Sequence, residues 1–258
     1  MKKITLITIL TVLITSAFAQ DFQKYKIAPV VGAGIGWLNP DSKFITNEGN
    51  MFRFGYGLAV DIHFTENYAI GTGLNVSNFG GTLSFKESGR SNNQQLIWQT
   101  TRDFDLRYVE IPLSLKLRTN EIGYMTYWGQ FGLITGVNIR ARGDSEIDFE
   151  SVKLETESGV NWVKSDLPSL TSEDDDIKDD TQIFRVGLLI GAGIEYGLSG
   201  NSAVVVGVTY NNGFTNVLKG EVVQTDDRDE VVFESQNPKT SKLKAMSHIV
   251  SLNVGFKF

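Results

Sequence analysis

The chain has 258 residues, with 24 Lys and Arg against 30 Asp and Glu, a net charge of −6 and no cysteine. The acidic balance excludes nucleic acid as a partner, because phosphate neutralisation needs clustered Lys and Arg. The missing cysteine excludes a disulfide framework and a lipid-anchored Cys behind a leader.

The chain begins MKKITLITILTVLITSAFAQ: Lys2 and Lys3, an apolar run from Ile4 to Ile14, then Ala17-Phe18-Ala19. This pattern predicts a signal peptide over residues 1–19, cleaved near Ala19-Gln20. The run is too short to cross a hydrocarbon core of ~30 Å. No later stretch approaches a continuous apolar span, so transmembrane helices are excluded. Residues 20–258 suffice for one large all-β domain or two small ones.

Eight segments with period-two alternation follow. In order they are Ile27 to Trp37, Phe52 to Phe64, Tyr68 to Phe79, Phe104 to Leu117, Tyr127 to Arg140, Phe184 to Tyr196, Val204 to Tyr210 and His248 to Phe258. In Phe52 to Phe64, Phe52, Phe54, Tyr56, Leu58, Val60, Ile62 and Phe64 share one face. Arg53, Gly55, Gly57, Ala59, Asp61 and His63 take the other, because strand side chains alternate sides. Phe184 to Tyr196 repeats the design. Small residues with isolated charges suit the cramped lumen of a small barrel better than a solvated surface. The large apolar face then meets lipid, and aromatics such as Trp37, Phe64, Tyr68, Tyr127, Tyr196, Tyr210 and Phe256 sit near strand ends like interfacial girdles. In Phe104 to Leu117 the apolar parity switches, which predicts a bulge near Tyr108–Glu110 that re-phases the strand.

The links alternate strictly between long and short. Asn39 to Met51, Lys86 to Arg102, Ala141 to Gln182 and Asn211 to Ala245 are long; Thr65 to Asn67, Thr119 to Gly123 and Leu198 to Ser202 are short. An outer-membrane barrel with both termini in the periplasm has this arrangement. Unpaired backbone is not tolerated in lipid, so the terminal strand must close against the one beginning near Ile27.

Alternation places Arg53, Asp61, His63, Glu110, Lys116, Arg140, Arg185, Glu195 and Lys257 in the lumen. A lumen of eight strands is just wide enough for side chains to fill, so these charges are expected to form a mutually paired plug; a narrow pathway or ligand pocket is the alternative. Ala141 to Gln182 carries about thirteen acidic residues against about four basic ones, including SEDDDIKDD. Its consecutive aspartates lack the spacing and turn glycine of a calcium loop. It is expected to be a solvated loop, with a loose divalent-ion site as the alternative. His63 and Asp61, two apart on one face, are expected to be a satisfied lumen pair. GAGIG (Gly32 to Gly36) lies inside a strand with no following helix, so it is not a dinucleotide loop. No catalytic, cofactor or metal residues are expected.

The stretch YVEIPLSLKL (Tyr108 to Leu117), the strand GLLIGAGIEY (Gly187 to Tyr196) and the ending SLNVGFKF resemble the PorT-like outer-membrane β-barrel family, often labelled porin family proteins. The Y-x-E-I-P-L segment is the most specific of these. The resemblance implies an eight-stranded barrel, with links to protein secretion for some members, and it supplies no catalytic residues. The expectation is therefore an all-β, eight-stranded antiparallel transmembrane β-barrel in the outer membrane of a Gram-negative bacterium, with short periplasmic turns and long outer loops. It would be a non-enzymatic structural or interaction component linked to secretion or surface assembly. A narrow solute pore, a barrel enzyme acting on lipid and a soluble ligand-binding barrel are the alternatives. Expected partners are outer-membrane lipid, other envelope or secretion proteins, and the barrel assembly machinery, for which Phe258 would act as a recognition signal during insertion.

Overall fold

The computed structural model describes residues 24–91, 94–156, 159–198, 200, 202–226 and 228–258; the leader expected over residues 1–19 lies outside them. The strands are β1 (Tyr25–Pro40), β2 (Ile45–His63), β3 (Tyr68–Ser91), β4 (Gln94–Arg118), β5 (Met125–Thr156), β6 (Gly159–Lys164), β7 (Leu170–Asp176), β8 (Phe184–Gly197), β9 (Ala203–Asn216), β10 (Glu221–Val223), β11 (Phe233–Glu234), β12 (Asn237–Pro238), β13 (Thr240–Lys242) and β14 (Ala245–Lys257).

Eight of them, β1–β2–β3–β4–β5–β8–β9–β14, form an antiparallel ring that closes on β1. The closing seam runs from Pro40 opposite Ala245 to Val30 opposite Gly255. Reciprocal backbone hydrogen bonds of 3.0 Å between Ile27 and Phe258 then carry it to the last residue. Closure leaves the wall without an unpaired edge, the condition for spanning lipid.

Strand length follows from what surrounds each face. On the half of the barrel nearest the short turns, large side chains point outward: Phe54 is 66% exposed, Leu113 62% and Phe131 54%. Small and charged side chains fill the lumen there. On the other half the order inverts. Phe79, Leu83, Phe85, Phe104, Leu106 and Tyr108 point inward and are buried, while Thr101, Asp103, Asp105 and Arg107 of β4 point outward. The switch in β4 is therefore the level at which the wall leaves lipid and enters water. β4 alternates without interruption from Phe104 to Lys116. The expected bulge near Tyr108–Glu110 is not in this strand: Arg107 opposes Arg140 and Tyr108 opposes Asn138, so the extra residue is Ile139 of β5.

The links differ from expectation for the same reason. β3 and β4 pair continuously to Ser91 opposite Gln94, and β5 keeps pairing with β4 to Val152. Much of the expected loops Lys86 to Arg102 and Ala141 to Gln182 is thus paired sheet standing beyond the lipid belt. Leu170–Asp176, expected as solvated loop, is β7 paired with β5, followed by a 3-10 turn at Lys178–Asp180. Ile177 anchors the segment in the apolar core. Between β9 and β14, Val217, Leu218, Val222 and Leu243 fold inward onto the same core. The expected long link Asn39 to Met51 is likewise mostly strand, with residues 41–44 alone joining β1 to β2, so short connections occur at both ends.

Candidate functional site

The lumen holds two groups of buried charge, each built by alternation from several strands. At the short-turn end, β2 supplies Asp61 and His63, β4 supplies Lys116 and Arg118, β8 supplies Glu195 and β14 supplies Lys257. Lys116 Nζ lies 2.8 Å from Asp61 Oδ2 and 3.1 Å from Glu195 Oε1. Lys257 Nζ lies 2.6 Å from the same Asp61 oxygen and also donates to Glu195. Arg118 donates to Glu195 Oε2 at 2.7 Å, and its Nη1 is 3.3 Å from His63 Nε2. Buried charges persist only when paired and hydrogen-bonded, and here three cations share two carboxylates across the lumen. Trp128 of β5 packs beside them, with Lys116 Nζ 4.7 Å from its ring centroid. Gly207 makes room for that ring: a Cβ there would stand 2.3 Å from it.

Further along the lumen, Arg185 of β8 pairs with Glu110 of β4, both fully buried. Its Nε donates to Ser247 Oγ at 3.1 Å and its Nη2 to Asn211 Oδ1 at 3.0 Å. The guanidinium lies 4.6 Å from the Phe79 ring centroid. Directly above, Phe79, Tyr108 and the rest of the apolar core close the mouth, and Tyr108 donates its hydroxyl to Gln182 O at 2.8 Å.

Between the two charge groups is a cavity of about 180 Å³, lined among others by Asn75, Glu110, Ser114, Gln130, Thr209 and Asn253. It is roomy enough for several waters. Glu110 Oε2 has no protein hydrogen-bond partner among the described residues, which suits a hydrated cell. Among the described residues, a salt-bridged floor and an apolar roof bound this cell along the barrel axis.

Of the nine charges expected in the lumen, Asp61, His63, Glu110, Lys116, Arg185, Glu195 and Lys257 make up these two groups, and Arg53 lines the cavity between them. Arg53 sits beside a register shift between Asn50 and Gly55, and its guanidinium also reaches Asp105 of β4 at 3.5 Å. Arg140 belongs to neither group; it follows the Ile139 bulge and faces Asp174 of β7 at 3.5 Å. One extra residue flips a side chain to the other face. Arg118 was missed, although it stands two residues beyond Lys116 and shares its face.

His63 and Asp61 share the floor but make no hydrogen bond to one another. Asp61 is occupied by two lysines, and His63 faces Arg118. The aspartates of SEDDDIKDD do not converge either. Asp174 accepts contacts from Arg140 and Arg142, and Asp180 pairs with Arg102 at 3.0 Å. Among the described residues no group of three His, Asp or Glu is placed to hold a metal ion.

Residues 18–219 match a family described as outer membrane protein beta-barrel domain, and the chain belongs to that family. Among curated proteins none matches the sequence. Solved structures similar to this chain include Ail, the attachment invasion locus protein of Yersinia pestis, at 14% identity and a TM-score of 0.36, covering 91% of this chain and 99% of that one. Neisserial surface protein A is similar at 11% identity and a TM-score of 0.41, covering 90% and 97%. The outer membrane protease OmpT of Escherichia coli is similar at 13% identity and a TM-score of 0.32, covering 94% and 99%.

Proposed function

We propose that this outer-membrane β-barrel is a non-enzymatic anchor that holds a rigid sheet outside the membrane for a protein partner in secretion or surface assembly. The observation that carries this reading is the pairing of β3, β4 and β5 well past the lipid belt. Main-chain ladders preorganise that surface, so a partner would not bear the entropic cost of ordering loops. The paired charges across the floor and the apolar roof favour an anchor over a solute pathway. Among the described residues the side-chain contact of His63 is to Arg118 and not to a hydroxyl, which weighs against the lipid-acting enzyme. The resemblance of YVEIPLSLKL to PorT-like proteins supports the link to secretion.

Cross-linking in native outer membrane, with mass-spectrometric identification of the captured protein, tests the proposal. The control is a variant with the β3–β4 hairpin cut back to residues 83 and 102. A defined partner captured by the full chain and lost from the shortened but heat-modifiable barrel is the expected result. Capture that is equal for both chains would contradict it.

A further inference from the structure

The outward wall of β3, β4 and β5 is ordered in rows, because cross-strand neighbours of one face lie side by side. From the short turns upward, the rows are mostly apolar: Ile70, Leu115 and Phe131, then Leu113 and Leu133, then Ile111 and Thr135, then Val76, Val109 and Val137, with Thr72 and Leu74 between Ile70 and Val76 on β3. From Tyr68 to Val76 the belt runs about 27 Å along the strand at ~3.4 Å per residue. Tilted by ~40°, that is roughly 21 Å along the membrane normal, close to the ~25 Å apolar band of such barrels.

The next row is Asn78, Arg107 and Arg140; the one above is Gly80, Asp105 and Arg142. Arg53 reaches into the same place through Asp105. Four arginines therefore meet at the upper rim of the lipid belt against three carboxylates, Asp105, Asp174 and Asp176, the last opposite Arg142 on β7. The ion pairs are loose: Arg53 to Asp105 is 3.5 Å, Arg140 to Asp174 is 3.5 Å and Arg142 to Asp174 is 3.9 Å. Arg107 has no carboxylate within 4.0 Å among the described residues; its Nε donates at 2.7 Å to the neutral Asn78 amide. Like charges directly opposite on a sheet are unfavourable, yet Arg107 and Arg140 are direct partners. On the far side of the barrel the same rim is built differently, from the stacked rings of Trp37, His248 and Tyr210. One row higher than Asp105, Asp103 and Asp144 begin an acidic surface, which limits the positive charge to two rows.

We propose that the Arg107–Arg140 pair, flanked by Arg53 and Arg142, binds the anionic phosphate headgroup of an outer-leaflet lipid whose acyl chains lie along the Val76–Val109–Val137 wall. Charge complementarity and continuity with the lipid belt identify the occupant. A planar guanidinium fork matches phosphate oxygens in pairs, and a phosphate between the two arginines relieves their repulsion.

The test uses the full chain reconstituted in phosphatidylcholine vesicles doped with bisphosphorylated lipid A, with native mass spectrometry reading the lipid retained. Two basic residues at a membrane surface contribute enough that Arg107→Ala/Arg140→Ala should retain lipid A roughly thirty-fold more weakly. The charge-preserving Arg107→Lys/Arg140→Lys variant should retain it several-fold more weakly, because the fork is lost; if the alanine variant does not fold, this variant decides alone. Lys164→Ala, on exposed β6, should retain it fully. Wild-type retention by the arginine variants would overturn the proposal, as would equal retention of dephosphorylated lipid A. Displacement of the lipid by 10 mM inorganic phosphate would also overturn it, by assigning the site to free phosphate.

Discussion

Glu195 receives Lys116, Lys257 and Arg118 at once, so its removal matters more than the loss of any one of those cations. Glu195→Gln leaves three buried cations facing Asp61 alone. Breaking a buried ionic group in this way costs on the order of 3–5 kcal/mol. Lys257→Met leaves Lys116 and Arg118 balanced against Asp61 and Glu195 and should cost less. Urea unfolding of the reconstituted barrel should therefore rank Glu195→Gln below Lys257→Met in midpoint; the reverse order would contradict the charge balance. Gly207→Leu should cost about 1–3 kcal/mol by the same assay, since the added side chain must displace the Trp128 ring. At this scale the sequence was readable wherever alternation ran unbroken: Asp61, Lys116, Glu195 and Lys257 follow from parity alone. Arg140 did not, because it adjoins the Ile139 bulge, which leaves no mark in composition.

β14 ends on a residue that still belongs to the ladder. Deleting Phe258 removes its two backbone bonds to Ile27 at the seam, and should lower the amount of folded barrel recovered from the membrane. Unchanged levels in a heat-modifiability assay would contradict a role for that residue in insertion. β7 stays on β5 through Ile177, so Ile177→Asp should release residues 170–180, seen as faster hydrogen exchange there and unchanged exchange in β8. The β3 extension is held by Lys86, whose Nζ is 3.1 Å from Glu150 and 3.0 Å from Asp229. Burial alone would lower its pKa, but the hydrogen bonds to Asp229 and Glu150 outweigh that and raise it above the ordinary lysine value. That contact is therefore fully present below ~10.4 and is lost only as pH rises through the raised value. Protease sensitivity near Asp229 should stay flat across neutral pH and appear only in strong alkali. Strand existence was legible in the alternation. Strand length was not, because beyond the lipid belt the apolar face turns inward, and a single parity no longer describes the whole strand.

As a whole, the molecule is a closed wall with a salt-bridged floor, an apolar roof and a sheet raised above the membrane. The number of wall strands and their closure were readable, since both follow from pairing every backbone group in lipid; the length of the links was not, because β3, β4 and β5 run on as paired sheet. The roof was not, because Val217, Leu218, Val222 and Leu243 come from a link whose inward fold no local period records. Closure of the lumen to solutes is the claim on which the reading as an anchor rests. Purified, refolded full-length protein in planar bilayers tests it most directly: the structure predicts no stable unitary conductance steps at neutral pH, and reproducible steps of one size would contradict it.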